Sequence, residues 1–246
     1  MMLDSPVALF PVDEARFGIK SARSTATTVD DLKIIENFCS TEQVIFNVLR
    51  TDTRNISLIQ GIENCGYRLM DTLVFYRVNL PLPILSNDDK GVTFRIANHR
   101  DTESILKVAA EAFTGYFGHY HADPRLEKSK CDEGYVDWAR KCLTDKSAAE
   151  AVLIVEYYGE LAGFVTLKLV GESDSEIVVG GISRKFQGRG YYRRLLEESC
   201  RWFANQNRET TTVSTQIINM PVQRVWQKLG FEIHHSVYTF HKWYTE

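Results

Sequence analysis

The spacing of apolar and polar residues divides the first third of the chain into alternating strands and helices. Residues 28–31 form a polar helix start, and apolar residues follow it at helical spacing. Residues 44–49 and 67–76 have the pattern of strands, and residues 56–65 between them have the pattern of a helix that stops at a glycine. These patterns predict a β-α-β-α-β unit.

The remainder of the chain begins with a predicted strand at residues 92–97 and a helix that starts at residues 101–104. Three further strands are predicted, over residues 151–158, 161–170 and 175–182. A Gly-rich turn and a helix follow the last strand. This part of the chain therefore also mixes strands with helices.

A break in the pattern separates the two parts. Residues 79–91 carry two prolines and then a polar acidic run that ends in glycine, which is typical of a connection between folded units. We therefore predict an N-terminal domain at 1–78, a linker at 79–91 and a second domain at 92–246. Both domains end with a helix, a Gly-aromatic pair (at Gly66 and Gly230) and an alternating strand, which suggests that the first is a partial copy of the second.

Composition and charge argue against several classes of function. The formal net charge is -3, which gives no electrostatic reason to expect a nucleic-acid partner. No stretch approaches the roughly 18 apolar residues of a membrane span, and the first residues lack the pattern of a signal peptide. The five cysteines are widely spaced without a C-x-x-C pair, so we expect free thiols in the cytoplasm rather than disulfides or a metal site.

The most informative segment is a strand, a short turn and a helix over residues 177–196. This order aims unpaired backbone N–H groups and the positive end of a helix dipole at one point, which suits an anion. Gly188 and Gly190 allow the main chain to approach a phosphate closely. The turn is neither a P-loop nor a G-x-G-x-x-G turn, so those two kinds of nucleotide site are not indicated.

Two motifs resemble those of the GNAT superfamily of N-acetyltransferases. Residues 187–192 (Gln-Gly-Arg-Gly-Tyr-Tyr) are similar to its loop Q/R-x-x-G-x-G/A, with Ile182 where the family has an apolar residue. Residues 219–231 are similar to its element N-x-x-A-x-x-x-Y-x-K-x-G-F. Two departures from the pattern matter: Tyr192 replaces a small residue, and Trp226 replaces the tyrosine that often protonates the departing thiolate.

More loosely, the whole chain resembles the TDP-fucosamine acetyltransferases of bacterial surface-polysaccharide synthesis. The similar features are Phe17-Gly18, Ala112-Phe113, an Asp-Pro loop and Tyr-x-x-Trp at residues 135–138. The resemblance implies an α/β GNAT fold, with a mixed, mostly antiparallel sheet flanked by helices and a partial GNAT-like domain before it. It also implies acetyl-CoA as acetyl donor, and we expect no metal.

The resemblance further implies which residues hold acetyl-CoA: Gly180, Ile182, Gln187, Gly188, Arg189, Gly190, Tyr191, Tyr192, Asn219 and Trp226. In the family, a backbone N–H at the position of Gly180 contacts the acetyl oxygen, and a Glu at the position of Glu176 acts as general base, often through water. Because side chains alternate along a strand, we expect Glu176 and Gly180 on one face, roughly 13 Å apart.

An acceptor site is expected in the aromatic stretch that covers the acceptor in this family. We expect Tyr116, His119, His121 and Arg125 to contact the acceptor, and His121 to be a second candidate for the catalytic base near neutral pH. Packing or a surface position is the alternative for these side chains. The spacing of the two histidines is not completed to a metal-ligand set.

These features predict direct acetyl transfer from acetyl-CoA to the amino group of a nucleotide-linked deoxy-amino sugar, in a ternary complex. The partner is then a small-molecule amine, with no nucleic acid and no membrane. Two alternatives stay open. One is a GNAT enzyme acting on a peptide, polyamine or antibiotic amine, and the other is a CoA-binding regulatory module without turnover. The oligomeric state, a homodimer included, also stays open.

Overall fold

The computed structural model describes residues 5–83 and 90–244, which contain ten β-strands and eight α-helices. The strands are β1 (Val7–Leu9), β2 (Ser21–Thr25), β3 (Phe46–Asp52), β4 (Arg68–Asn79), β5 (Val92–Ile96), β6 (Ala151–Tyr157), β7 (Glu160–Val170), β8 (Asp174–Ile182), β9 (Thr210–Gln216) and β10 (Glu232–Trp243). The helices are α1 (Pro11–Phe17), α2 (Val29–Thr41), α3 (Ile56–Asn64), α4 (Thr102–Phe113), α5 (His119–Ala122), α6 (Lys128–Thr144), α7 (Tyr191–Asn205) and α8 (Met220–Lys228).

All ten strands belong to one sheet, in the order β1-β2-β3-β10-β4-β9-β8-β7-β6-β5. Neighbouring strands are antiparallel except for the pairs β2–β3 and β8–β9, which are parallel. The prediction of a mixed, mostly antiparallel sheet flanked by helices is therefore confirmed.

Two units of the same element order exchange their last strands. The units are β2-α2-β3-α3-β4 and β8-α7-β9-α8-β10, and each contains one of the two parallel pairs. However, β4 pairs with β9 of the second unit, and β10 pairs with β3 of the first. The turns before the exchanged strands also match, since Gly66 and Gly230 have φ values of 83° and 86°. The C-terminal strand thus completes the N-terminal part of the sheet.

Helices cover both sides of the sheet. Helices α2, α3, α7 and α8 pack on one side, which we call the α7 face, around apolar residues such as Leu49, Phe240 and Leu195. Helices α1, α4, α5 and α6 pack on the other side, the α6 face, around residues such as Val48 and Phe164. The alternation of Val48 and Leu49 along β3 shows how one strand supplies both cores.

Local sequence explains where the helices begin. The side chain of Thr28 accepts a hydrogen bond from the backbone N–H of Asp31 (3.2 Å), and the Asp31 carboxylate accepts one from the N–H of Thr28 (2.8 Å), so the predicted start of α2 is confirmed as a capping box. The predicted start of α4 is also correct, but Asp101 does not cap it. Its carboxylate is bound instead by the guanidinium of Arg95 at 2.8 Å.

The division into domains at 1–78, 79–91 and 92–246 stays a prediction. The sheet runs through both proposed domains, and residues 84–89 of the proposed linker lie outside the described residues. Strand β1, at three residues, is too short to show an alternation, and the sequence patterns did not identify it or α1. A search of the described helices for a stretch long and apolar enough to cross a membrane finds none.

Candidate active site

Strands β8 and β9 separate partway along their length. Their parallel pairing ends at Ile177 and Val213, although β8 continues to Ile182 and β9 to Gln216. A cavity of about 990 Å³ lies at this opening and is lined by residues from both faces of the sheet. The equivalent parallel pair of the first unit, β2 and β3, stays paired over all five residues of β2. The opening therefore distinguishes the second unit from the first.

The Gly-rich turn before α7 forms one end of this cavity. Gly188 and Gly190 have φ values of 77° and 81°, and a Cβ atom at either position would meet nothing within 4 Å, so open space faces the turn. No described side chain caps α7, and its first backbone hydrogen bond runs from Arg194 to Gly190 (3.2 Å). The N–H groups of Tyr191 and Tyr192 precede that bond, and both residues line the cavity. This end of the cavity suits an anion such as a phosphate.

Three further residues with predicted cofactor contacts lie near the turn. Gln187 lines the cavity, and its side-chain N–H donates to the carbonyl of Ile182 (3.2 Å), which is also in the wall. Arg189 is not in the part of the wall formed by described residues. Its guanidinium lies 5.8 Å from the ring centre of Tyr157 and 5.5 Å from that of Phe186.

A β-bulge in β8 corrects the prediction that Glu176 and Gly180 share a face. Gly180 pairs with Val165, and Ile177 pairs with Leu167, so three steps along β8 match two steps along β7. Because Val165 and Leu167 share a face, Gly180 and Ile177 do too, and Glu176 lies on the opposite one. Gly180 therefore belongs to the α7 face and Glu176 to the α6 face, and both line the cavity.

Gly180 and Glu176 are each constrained by β7. A Cβ atom at position 180 would lie 2.5 Å from Val165 Cγ1 and 2.8 Å from the carbonyl oxygen of Phe164, so only glycine fits. Glu176 pairs with Lys168. Burial raises the pKa of the Glu176 carboxyl above its ordinary value, and the charge of Lys168 opposes that rise.

Tyr192 and Trp226, which both depart from the GNAT motifs, meet in the cavity wall. The indole N–H of Trp226, which is buried, donates to the hydroxyl of Tyr192 at 3.1 Å. The Tyr192 oxygen is thus the acceptor, and its own O–H proton can go to a second group. Burial raises the pKa of Tyr192, while the bond from Trp226 acts against the rise. Asn219 also lines the cavity and donates to Thr215 Oγ1 at 2.9 Å.

On the α6 face the cavity is lined by aromatic residues, among them the predicted acceptor residue Tyr116. Its ring contacts Phe113 and Tyr135, with centroid distances of 5.5 and 5.0 Å. Its hydroxyl bonds to the side chains of Gln216 and Thr215, which lie at the open end of β9. Tyr116 therefore links α4 to the opened strand.

The structure does not bring His121 and Arg125 to the part of the cavity wall formed by described residues. His121 Nδ1 accepts from the N–H of Gly118 (3.3 Å), and its Nε2 lies 3.0 Å from Asp132 Oδ1, so both ring nitrogens have protein partners. Arg125 is exposed, with its guanidinium 5.4 Å from the ring centre of Trp243. The geometry gives no support to direct contact of these two side chains with the acceptor.

His119, in contrast, lines the cavity at the end of a chain of buried side chains. His119 Nδ1 lies 2.8 Å from His241 Nε2, and His241 Nδ1 lies 2.9 Å from Asp123 Oδ2. The indole N–H of Trp243 also donates to Asp123 Oδ2, at 2.9 Å. The three linked residues are at most 6% exposed, so their hydrogen bonds to one another are largely shielded from bulk water.

The hydrogen-bond partners and the pKa directions together support one assignment of protons along this chain. Burial lowers the pKa of both histidines, and the charge of His241 further lowers that of His119. Burial alone would raise the pKa of Asp123, but hydrogen bonds from His241 and Trp243 outweigh it. An ionised Asp123 therefore accepts Nδ1–H of His241, whose Nε2 accepts Nδ1–H of His119. His119 Nε2 is left as a proton acceptor.

Sequence reasoning missed the chain His119–His241–Asp123, because His241 lies 122 residues from His119 and 118 residues from Asp123 along the sequence. It also missed Arg16, Arg23 and Arg50, three arginines of the N-terminal unit that line the cavity. Apart from Asp123, which belongs to the Asp-Pro loop, none of these residues lies in a motif identified from the sequence. The sheet pairing that brings β10 beside β3 places them near the second unit.

Part of the chain matches a known protein family. Residues 106–231 match the family model described as acetyltransferase (GNAT) family. The spore coat polysaccharide biosynthesis protein SpsD of Bacillus subtilis is 29% identical over 146 residues, which are 58% of this chain. That match spans about half of the relative's own length, 48%.

Solved structures extend the likeness to nearly the whole chain. A GCN5-related N-acetyltransferase from Sphaerobacter thermophilus is 13% identical with a TM-score of 0.68, over 96% of this chain and 76% of its own. A tandem GNAT protein from the clavulanic acid biosynthesis pathway is 10% identical with a TM-score of 0.66, over 93% of this chain and 77% of its own. At these identities the likeness concerns the fold, including the N-terminal unit.

Proposed function

The chain belongs to the acetyltransferase (GNAT) family, and we propose that it transfers an acetyl group from acetyl-CoA to the amino group of a nucleotide-linked deoxy-amino sugar. The observation that carries this proposal is the single cavity through the opened strands. It joins the uncapped start of α7 on one face to the buried His119 on the other. A donor and an acceptor can therefore meet at β8 from opposite sides.

The residues of the donor side fit the pyrophosphate of CoA. The turn at Gly188 and Gly190 leaves open space beside unpaired backbone N–H groups. These groups and the helix dipole favour the binding of a phosphate at this point. Gly180 and Ile182 line the path from that turn to the bulge. Bound acetyl-CoA supplies an acetyl group as a reactive thioester. The backbone N–H of Gly180 is our candidate donor to the acetyl oxygen.

The acceptor amine must lose a proton to become a nucleophile, and we assign that proton to His119 Nε2. When His119 becomes protonated, its Nδ1–H keeps its bond to His241, which in turn keeps its bond to the ionised Asp123. The Asp123 carboxylate thereby stabilises the new positive charge on His119 through the intervening His241. Glu176 lines the same face and is the second candidate, through a water molecule.

The departing sulfur must gain a proton, and we assign that proton to the hydroxyl of Tyr192. Formation of the N–C bond and cleavage of the C–S bond then leave one proton on His119 and take one from Tyr192. Solvent restores both. This assignment gives the chain a hydroxyl at the place where Trp226 removes the usual tyrosine.

An amino sugar is supported by the likeness to a polysaccharide biosynthesis protein. The five described cysteines are all free, which fits the reducing cytoplasm as the place of reaction.

The test is thiol release from acetyl-CoA with a nucleotide-linked amino sugar, a peptide amine and a polyamine. We expect turnover with the first at a kcat/KM at least about 10²-fold higher. Preference for another amine would overturn the sugar assignment, and CoA binding without any turnover would favour a regulatory module.

A further inference from the structure

Positive charge is concentrated where the N-terminal unit meets the cavity. Arg16 of α1, Arg23 of β2 and Arg50 of β3 all line it on the α6 face. Asp13, which is fully buried, lies 3.5 Å from Arg23 and 3.8 Å from Arg16, and Arg16 also lies 3.7 Å from Asp137. The described wall holds more basic side chains than acidic ones, namely Arg16, Arg23, Arg50, Lys141 and Arg193 against Asp137 and Glu176.

Arg23 is held rigidly in this wall. Its guanidinium donates to the hydroxyl of Tyr120, which donates in turn to Asp13 Oδ1 at 2.6 Å. The guanidinium carbon also lies 3.8 Å from the ring centre of Phe10. Such stacking fixes the plane of a guanidinium group and leaves its edge for a ligand.

Arg50 lies next to Arg23 and has no ion pair with any carboxylate of the described chain. Its Nε is enclosed and has no hydrogen-bond partner among the described residues. Burial lowers the pKa of Arg50, as does the charge of Arg23, and the charge of Asp71 only partly opposes them. A buried donor without a partner calls for a ligand that supplies one.

We infer that Arg23 and Arg50 form an anion subsite that binds the diphosphate of the acceptor. This inference rests on the proposed function, because it gives the nucleotide part of the acceptor its place. Guanidinium groups bind phosphate oxygens in a bidentate manner, and two of them match the two phosphates of a nucleoside diphosphate. The subsite lies on the α6 face, whereas the turn at Gly188 lies at the start of α7 on the other face. The two phosphate-bearing substrates are then held on opposite sides of the sheet.

Calorimetric titration with thymidine diphosphate tests the subsite, in the presence of saturating CoA so that the α7 turn is occupied. We expect binding by the wild-type protein and a loss of at least about 10-fold in affinity for Arg50→Gln, as for one charge-assisted hydrogen bond. Arg50→Lys should retain part of the affinity, since the charge remains. The matched control is Arg54→Gln, because Arg54 is exposed and paired with Asp52 outside the cavity.

The outcomes separate this inference from the proposed function. If thymidine diphosphate does not bind, or if Arg50→Gln binds it equally with an unchanged melting temperature, the subsite is wrong while acetyl transfer can still hold. If saturating CoA abolishes the binding, the probe occupied the α7 turn and the subsite is also wrong. If the diphosphate binds through Arg50 but no nucleotide-linked amine is acetylated, the subsite stands and the proposed function fails.

Discussion

Trp226 donates its indole N–H to the hydroxyl of Tyr192 at 3.1 Å, although the two residues are 34 positions apart. Both positions depart from the motifs of the family. The family's tyrosine is missing at 226, and a tyrosine replaces a small residue at 192. In the proposed function, the hydroxyl of Tyr192 takes over the role of the hydroxyl that is missing at position 226.

We expect Tyr192→Phe to lower kcat by about 10²-fold or more, the lower range for loss of a positioned general acid. Because burial raises the pKa of Tyr192 above its ordinary value of about 10, its hydroxyl keeps its proton around neutral pH, and the loss of rate should be independent of pH there. Calorimetry should show an almost unchanged affinity for CoA, because the ring remains.

The control for this prediction restores the hydroxyl from the other side. Trp226→Tyr in the Tyr192→Phe background should recover part of the lost rate, since it returns the hydroxyl to the position that the family uses. Trp226→Phe alone removes the hydrogen bond to Tyr192 and part of a buried side chain, but it leaves the Tyr192 hydroxyl in place and should lower kcat less. Full activity of Tyr192→Phe would show that the proton comes from elsewhere.

The second prediction concerns the base and its pH dependence. Burial lowers the pKa of His119, so His119 stays neutral and able to accept a proton as the pH falls below the ordinary value of about 6.5. Activity should be lost only as the pH falls further, through that lowered pKa. His119→Gln should reduce kcat by about 10²–10⁴-fold.

Asp123→Asn tests whether His119 acts together with His241 and Asp123 or acts alone. An amide in place of the carboxylate no longer stabilises a protonated His119 through His241, so we expect a large fall in kcat with little change in KM. Glu176→Gln is the matched test of the second candidate. If it lowers the rate more than His119→Gln and removes the acid limb, Glu176 is the base and our assignment is incorrect.

The third prediction concerns the turn before α7. Gly190→Ala forces a left-handed φ of 81° on a residue with a Cβ, which costs about 1–2 kcal/mol, and puts a methyl group into the open space. We expect the affinity for CoA to fall by about 10-fold or more. Gly159→Ala is the control, because Gly159 has a φ of 80° with equally open surroundings in the β6–β7 turn, outside the cavity. Equal CoA affinity in both variants would rule out the placement.

Features that are local in sequence were the ones that could be predicted. The turn at Gly188 and Gly190 is read from a strand, two glycines and a helix that are contiguous, and the family that it indicates is confirmed. The face of Glu176 could not be read in the same way. A bulge adds one residue to β8 relative to β7, and the alternation gives no sign of it.

The contacts around His119 show the same limit over a longer range. His241 reaches His119 because β10 pairs with β3, and His241 pairs there with Val48. That pairing is an exchange of strands between two units, decided by the whole sheet and not by any segment. Arg23 and Arg50 face the cavity for the same reason, since they lie on strands that complete a site whose motifs are elsewhere.

The two units also differ at the start of the helix that joins their parallel strands. At α2, the N–H groups of Thr27 and Thr28 are bound by the carboxylate of Asp31, which brings its own negative charge to the helix start. At α7, glycine stands at that point and no described side chain caps the helix. The Asp31 carboxylate already binds these N–H groups, and its negative charge would repel a phosphate. We therefore expect the first unit to bind no CoA.

The last prediction concerns a fragment of residues 92–246, which contains every motif of the family. From the sequence we expect such a fragment to keep some CoA affinity if it folds. In the structure β10 is paired on both sides, and both partners, β3 and β4, belong to the N-terminal unit. Strand β9 would also lose β4. Without residues 1–78, twelve-residue β10 has no partner, and the edge of β9 is exposed.

We therefore expect the fragment to be aggregated or unfolded by circular dichroism and size-exclusion chromatography. Co-expression of residues 1–83 with residues 90–246 should restore a soluble complex that binds CoA, because the two pieces together supply every strand of the sheet. The missing peptide between them carries none of the described strands. A soluble 92–246 fragment with native CoA affinity would show that the second unit folds by itself, and that the exchanged strands are dispensable for the donor site.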